Sequence, residues 1–256
     1  MSGDRVHDER LQVGDAFGQV LLAGQAAGGR PGAAFEVVER SDGHLGVMDA
    51  CKYFAEPPGW AAIDAAGAGR VLDLGAGAGR ACLALQRRGA DVTALDVSPG
   101  ATEVCRQRGV HQTFTGTVAD LAQTGPEPFG TFLMLGNNIG LLGGAGTAGA
   151  MLATLGRMAT TGARIVGESF DPYATDDPAH LAYQEDNRRR GRLGGQVRLR
   201  IRHRLTATPW RDYLLCTPGE LAALVAGTGW ELVDAASPGP SGSAGGQWLA
   251  ILQWRG

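Results

Sequence analysis

The sequence predicts an α/β fold built on a doubly wound, mostly parallel sheet. Three observations carry that prediction. Short apolar segments alternate with helical ones from about residue 68 to residue 170. A glycine turn, Gly75-Ala76-Gly77-Ala78-Gly79, follows directly on the apolar run Val71–Leu74. Carboxylates stand in or just after the strand segments, at Asp73, Asp96 and Asp120.

The turn limits what the fold can hold. Alternate glycines let a ligand lie against the backbone with no Cβ atoms in the way. A dinucleotide fingerprint needs Gly or Ala at its sixth position, but counting from Gly75 gives Arg80 and from Gly77 gives Cys82. A phosphate loop needs Gly-Lys-Ser/Thr, which is absent here. Asp73 would repel a pyrophosphate and attract an ammonium or sulfonium group. The ligand expected at this turn therefore carries positive charge. Asp96 ends the second strand, Val92–Asp96, where doubly wound folds place the acid that accepts ribose hydroxyls.

This ordered set, Asp73, the glycines and Asp96, followed by Asp120, resembles the class I S-adenosylmethionine-dependent methyltransferases of small-molecule type. The resemblance covers residues 68–170 and implies a Rossmann-like seven-stranded sheet whose last strand is antiparallel. It implies S-adenosyl-L-methionine as cofactor, with Asp73, Gly75, Gly77 and Gly79 at its methionine end and Asp96 at its ribose. Asp120 is implied at the adenine amine with the backbone of Ala119 or Leu121 nearby, Val97 elsewhere on the cofactor, and Gly136 near the methyl group.

In chain order, residues 1–66 read as an N-terminal helical cap, with helical pieces at 16–26 and 60–66. Tyr53 and His44 precede the first strand and are candidates to contact ligand, although both also suit plain packing. Ser98-Pro99 opens a helix as N-cap and first position. The strand 129–135 ends in Gly136-Asn137-Asn138, a pair resembling glycine and sarcosine N-methyltransferases, and the Asp/Asn-Pro-Pro-aromatic signature of nucleic-acid enzymes is missing. The strand 163–170 delivers Glu168.

Residues 172–216 read as an insertion within the methyltransferase domain 67–256, made of a helix at 180–190 and a β-hairpin lid. In the hairpin, Arg198, Arg200, Arg202 and Arg204 alternate with Leu199, Ile201, His203 and Leu205. Period two puts the arginines on one face and the other set on the opposite face. Thr217-Pro218-Gly219-Glu220 is a capping box that starts the last helix. An antiparallel strand pair closes the chain.

By position, Asn137, Glu168 and His180 are the catalytic candidates, and Tyr53, Asn138 and Tyr173 the substrate-binding ones. Each is also explicable as a turn former, a cap or a packing residue. The four cysteines are scattered and no histidines cluster, so no metal site is expected. A net charge of −3 over 256 residues gives no pull toward nucleic acid. No apolar run reaches membrane-spanning length, and Met1–Arg5 opens with both charge signs; the expected location is cytoplasmic. A homodimer is left open. The function expected is methylation of a small molecule on nitrogen or oxygen, in specialised metabolism. The alternatives are an RNA or protein methyltransferase docking through the arginine face, and a cofactor-binding protein without turnover.

Overall fold

The computed structural model describes residues 11–55, 69–236 and 246–256. Its strands are β1 (Gln12–Val13), β2 (Phe35–Arg40), β3 (Leu45–Asp49), β4 (Val71–Leu74), β5 (Val92–Asp96), β6 (Gln112–Thr115), β7 (Phe129–Met134), β8 (Ala159–Phe170), β9 (Gln196–His203), β10 (Thr206–Ala207), β11 (Arg211–Leu214), β12 (Trp230–Ala236) and β13 (Gln247–Trp254). The helices are α1 (Ala16–Ala26), α2 (Arg80–Gln86), α3 (Pro99–Gln107), α4 (Val118–Gln123), α5 (Ala145–Arg157), α6 (Pro178–Arg189) and α7 (Pro218–Val225).

Seven strands form the main sheet in the order β12-β13-β8-β7-β4-β5-β6. Pairings from β8 through β6 are parallel, while β13 is antiparallel to both β8 and β12. Both faces are buried, as a parallel sheet requires. Leu72, Leu74, Phe132 and Met134 pack into one core with Leu152 and Leu155 of α5. Val71 and Leu133 pack into the other with Ala81, Cys82 and Leu85 of α2. From β4 the chain winds outward one way to β5 and β6, then returns to the other side for β7 and β8. That reversal opens a crevice above the carboxyl ends of β4 and β7, where ligands bind in such sheets.

A second sheet runs β1-β10-β9-β2-β3, with β11 also paired to β9. It joins two segments that lie far apart in the chain. The expected helix and hairpin of the insertion are present, as α6 and as β9 with β11. The expected all-helical cap is corrected. Its helix α1 exists, but residues 35–49 form a β-hairpin, β2 with β3. The physical reason is in the residues: Val37 and Val38 favour an extended chain, and Gly43 takes φ +90 in the connecting turn. The expected helical piece at 60–66 lies outside the described residues.

Helix α1 connects the two sheets, packing on α3 and on β9. Its contact with α3 is glycine on glycine, Gly18 against Gly100. Asp15 ties the crossing. One carboxylate oxygen accepts the Gly18 N–H at 2.9 Å, and the other accepts the Ser98 hydroxyl at 2.9 Å and the Gly100 N–H at 2.8 Å. Among the described residues, no helix is long and apolar enough to cross a membrane.

Candidate active site

The main sheet supplies a floor. At the end of β4 the chain enters the glycine turn, where Gly75 and Gly77 have φ of 71 and 57, a region that side chains rarely adopt. Asp73 is buried beneath this turn and takes the Cys82 thiol at 3.3 Å. Burial pushes its carboxyl up to about 6, against the opposing pull of the Cys82 hydrogen bond and the Arg80 charge. Asp96, also buried, is pushed up by burial to about 6. Its two oxygens accept the Ser98 N–H at 2.9 Å and the Gly77 N–H at 3.0 Å. This carboxylate therefore locks the turn after β4 to the end of β5.

Next along the floor, Val97 leaves 56% of its surface exposed on the cavity wall, beside Thr117, Val118 and Ala119. An apolar side chain left open at this place is a platform for a flat ring. After β7, Gly136 and Asn137 both take left-handed backbone, with φ of 69 and 68. The Asn138 amide donates to the Leu74 and Gly75 carbonyls at 2.9 and 3.1 Å, joining this loop to the glycine turn.

The second sheet supplies a roof. Its inner face carries Glu36 and Val38 of β2, Leu199 and Ile201 of β9, and Arg211 and Tyr213 of β11. The Tyr213 hydroxyl donates to the Asn137 carbonyl at 2.7 Å, and so holds roof to floor. Burial raises this phenol well above its ordinary range. Glu36 is fully buried, and one of its oxygens accepts the Tyr53 hydroxyl at 2.7 Å and the Lys52 ammonium at 2.9 Å. Tyr53 packs edge-on against Phe17. Between floor and roof lies a cavity of about 950 Å³, at the upper end of the size of ligand pockets.

Three buried side-chain polar atoms lack a partner among the described residues: Glu36 Oε2, Asn137 Oδ1 and Arg211 Nε. All three residues line this cavity. Buried polar groups are nearly always paired, so a wall holding three unpaired ones is fitted to a polar ligand.

Residues 71–163 match the methyltransferase-domain family. The match places a methyltransferase domain over that part of the chain. No curated protein shows significant sequence similarity to it. Among solved structures, it is similar to a methyltransferase from Bacteroides fragilis in complex with S-adenosyl-L-homocysteine. The TM-score is 0.77 at 21% identity, covering 96% of this chain and 99% of that one. The CcbJ methyltransferase from Streptomyces caelestis aligns with a TM-score of 0.58 at 15% identity, over 80% of this chain and 92% of that one. The glycopeptide N-methyltransferase MtfA complexed with S-adenosyl-L-methionine aligns with a TM-score of 0.54 at 15% identity, over 79% of this chain and 88% of that one.

Within this methyltransferase fold, Asp73, Gly75, Asp96, Val97, Ala119, Gly136, Asn137, Asn138 and Tyr53 all reach the cavity wall. Gly77 and Gly79 shape the turn behind it, and Leu121 lies in the core. Four expectations are corrected. Asp120 closes a capping box with Thr117 at the start of α4, and its exposed carboxylate is held below its usual range by the Thr117 N–H and hydroxyl. Glu168 is buried behind the loop and accepts the Gly136 N–H, with burial raising its carboxyl. His180 faces His44, with ring nitrogens 3.4 Å apart, at a separate cavity of about 220 Å³. The Tyr173 hydroxyl donates to Glu220. None of these four lines the main cavity.

Glu36, Arg211 and Tyr213 went unnoticed in the sequence. The alternation across 35–40 was the available signal for Glu36, since period two puts it on the same face as Val38.

Proposed function

We propose that this methyltransferase transfers a methyl group from S-adenosyl-L-methionine to a small-molecule acceptor enclosed between the two sheets. The observation that carries this reading is the cavity of about 950 Å³, whose floor is the glycine turn with its carboxylates and whose roof sets apolar Val38, Leu199 and Ile201 among Glu36, Arg211 and Tyr213. Asp73 and the turn would hold the methionine end, Asp96 the ribose hydroxyls, and Val97 with Thr117–Ala119 the adenine. Asp120 is left out, because its carboxylate serves its own helix.

The bound cofactor supplies an electrophilic methyl group on positively charged sulfur. An acceptor lone pair would take that methyl group, the carbon–sulfur electron pair staying with sulfur, and Asp73 with the glycine turn would hold the sulfonium end in place for it. The protein's task is alignment, which supplies up to about 7–11 kcal/mol in well-oriented reactions. Asn138 and Tyr213 do this by tying the loop after β7 to both the glycine turn and the roof. Leu199, Ile201 and Trp210 give the acceptor's side of the cavity apolar lining.

The arginine face does not favour a nucleic-acid acceptor. It lies on the side of β9 away from the cavity, and Arg200 and Arg202 both engage Glu39, at 2.7 and 3.4 Å. That two structural neighbours are named for a glycopeptide N-methyltransferase and for echinomycin biosynthesis supports placing the enzyme in specialised metabolism.

Calorimetry with S-adenosyl-L-homocysteine, followed by labelled methyl transfer to amines, phenols, carboxylates, peptides and RNA, tests the proposal. Labelling of a small-molecule class is expected. Absence of homocysteine-product binding, or labelling of RNA alone, would overturn it.

A further inference from the structure

The roof carries a buried acid and a base, Glu36 and Arg211, of which Arg211 lies near enough to Asp96 for its charge to oppose the burial that raises that carboxyl. Glu36 sits on β2 and Arg211 on β11, and these two strands flank β9 on opposite edges. They lie two strands apart and, because Val37 is opposite Arg202 and Arg211 opposite Leu199, four positions apart along β9, so their backbones are roughly 16 Å from one another and the side chains reach inward from opposite corners. They do not neutralise each other: Glu36 pairs with Lys52, and Arg211 forms no ion pair among the described residues. The surface between them is apolar, made of Val38, Leu199 and Ile201.

Each charge keeps one buried atom without a partner. Tyr53 and Lys52 both serve Glu36 Oε1, which leaves Oε2 to accept a hydrogen bond. Arg211 Nε is left to donate one. A carboxylate oxygen that needs a donor suits an amine. A guanidinium edge that needs an acceptor suits a carboxylate, which it can grip with two parallel hydrogen bonds. Both groups are carried by the second sheet, whereas the turn, Asp73, Asp96 and Val97 belong to the first.

We propose that Glu36 and Arg211 form a two-point acceptor site, selecting an apolar small molecule that carries both an amine and a carboxylate. This inference rests on the methyltransferase reading and narrows its substrate class. Glu36 receives the N–H end, Arg211 the carboxylate, and Val38, Leu199 and Ile201 the apolar body. A molecule with only one charged end leaves the opposite buried group unpaired, so discrimination comes from the unmet partner as much as from the met one.

Matched probes test it by calorimetry on protein loaded with S-adenosyl-L-homocysteine. The probes carry the two charges at opposite ends of an apolar ring: 4-(2-aminoethyl)benzoate, phenethylamine and 4-ethylbenzoate, with 5-carboxytryptamine, tryptamine and 3-ethylindole-5-carboxylate as a second set. In at least one set the amino acid should bind tenfold or more tightly than both partners. Glu36→Gln should erase the advantage over the acid, and Arg211→Met the advantage over the amine. Arg211→Lys should restore part of the latter. Wild-type protein that binds tryptamine or phenethylamine as tightly as the amino acid overturns the proposal, as does binding none of the six probes or equal losses for all probes in both variants. The wild-type ranking decides the matter even where a variant fails to fold. S-adenosyl-L-homocysteine binding separates the two levels: normal binding without the ranking overturns this inference alone, and no binding by wild type overturns the methyltransferase reading with it.

Discussion

Acidification from pH 7.5 to 5 is expected to weaken S-adenosyl-L-methionine binding by about tenfold for each of two buried carboxylates. Burial pushes both Asp73 and Asp96 up to about 6. One unit below that value, only about one carboxylate in ten is ionised, and a unit corresponds to about 1.4 kcal/mol. The cationic end of the cofactor attracts the ionised form of Asp73, and ribose hydroxyls donate best to an ionised Asp96. Affinity should therefore be flat above about pH 7 and fall through pH 6, by up to about 100-fold at pH 5 if both groups contribute. Stability of the free protein runs the other way. A carboxyl whose folded pKa is raised above 3.8 gives stability that is full below the unfolded value and lost as pH rises through about 6. Cofactor should consequently raise the melting temperature more at pH 7.5 than at pH 5. Calorimetric titrations at four pH values, with wild type and Asp73→Asn, provide the measurement. A flat profile in wild type, or an unaltered slope in Asp73→Asn, would refute the argument.

Asp96→Ala should lose charge-assisted hydrogen bonds worth about 1.5–3 kcal/mol, roughly 10- to 150-fold in cofactor affinity by calorimetry, and unchanged affinity would remove the ribose assignment. Gly100→Ala would place a Cβ 2.5 Å from the Gly18 Cα and force α1 off α3, so a loss of about 1–3 kcal/mol is expected in urea unfolding. Glu39→Ala leaves Arg200 and Arg202 without their shared carboxylate and should cost about 1–3 kcal/mol in the same assay, with no gain in RNA affinity. Leu199→Asp sets a charge on the inner face without breaking the β9 ladder. Homocysteine-product binding should persist while methyl transfer falls at least tenfold, and a variant with normal turnover would show that the roof does not meet the acceptor.

The floor of the site was legible in the sequence because its chemistry is carried by backbone. A turn this tight must be written in glycine, since Gly75 and Gly77 take left-handed backbone. It closes on β5, where Asp96 accepts the Gly77 N–H and the Leu95 carbonyl accepts the Gly75 and Ala76 N–H groups. Asp120 shows the limit of that logic. Its place three residues after Thr117 makes a capping box, a local hydrogen-bond arrangement that prevailed over any role at a distance. Glu168 was placed on the right strand, but alternation on β8 turns it behind the loop to hold Gly136. The roof was legible only in pieces. The period-two pattern of 196–205 revealed β9 and its two faces, yet nothing local told that residues 35–49 would pair with it, since partner choice between distant strands is set by tertiary packing.

That pairing changes what the insertion is. A hairpin standing alone could open and close independently of the N-terminal segment, and removing 191–209 would test it as a lid. In the structure β9 is an interior strand, bonded to β2 along one edge and to β10 and β11 along the other. Its deletion would leave β1 and β11 without partners and β2 paired with β3 alone, exposing Glu36 together with the α1 packing surface, so loss of activity would say nothing about gating. The roof is better understood as one body, hinged to the floor through α1 on α3 and through Tyr213 on the Asn137 carbonyl. Tyr213 makes the second joint by more than one contact: its hydroxyl donates to the Asn137 carbonyl at 2.7 Å and lies 3.3 Å from the Asn138 Oδ1, and its ring packs on Gly140. Just beyond β11, Cys216 is tied to the main sheet, where its N–H donates to the Ser169 hydroxyl and its carbonyl accepts the Trp248 indole N–H at 2.8 Å. The strand that carries Arg211 is therefore anchored to the floor at its far end, and the α1–α3 crossing, with its charged Asp15 bonds, anchors the roof on the other side.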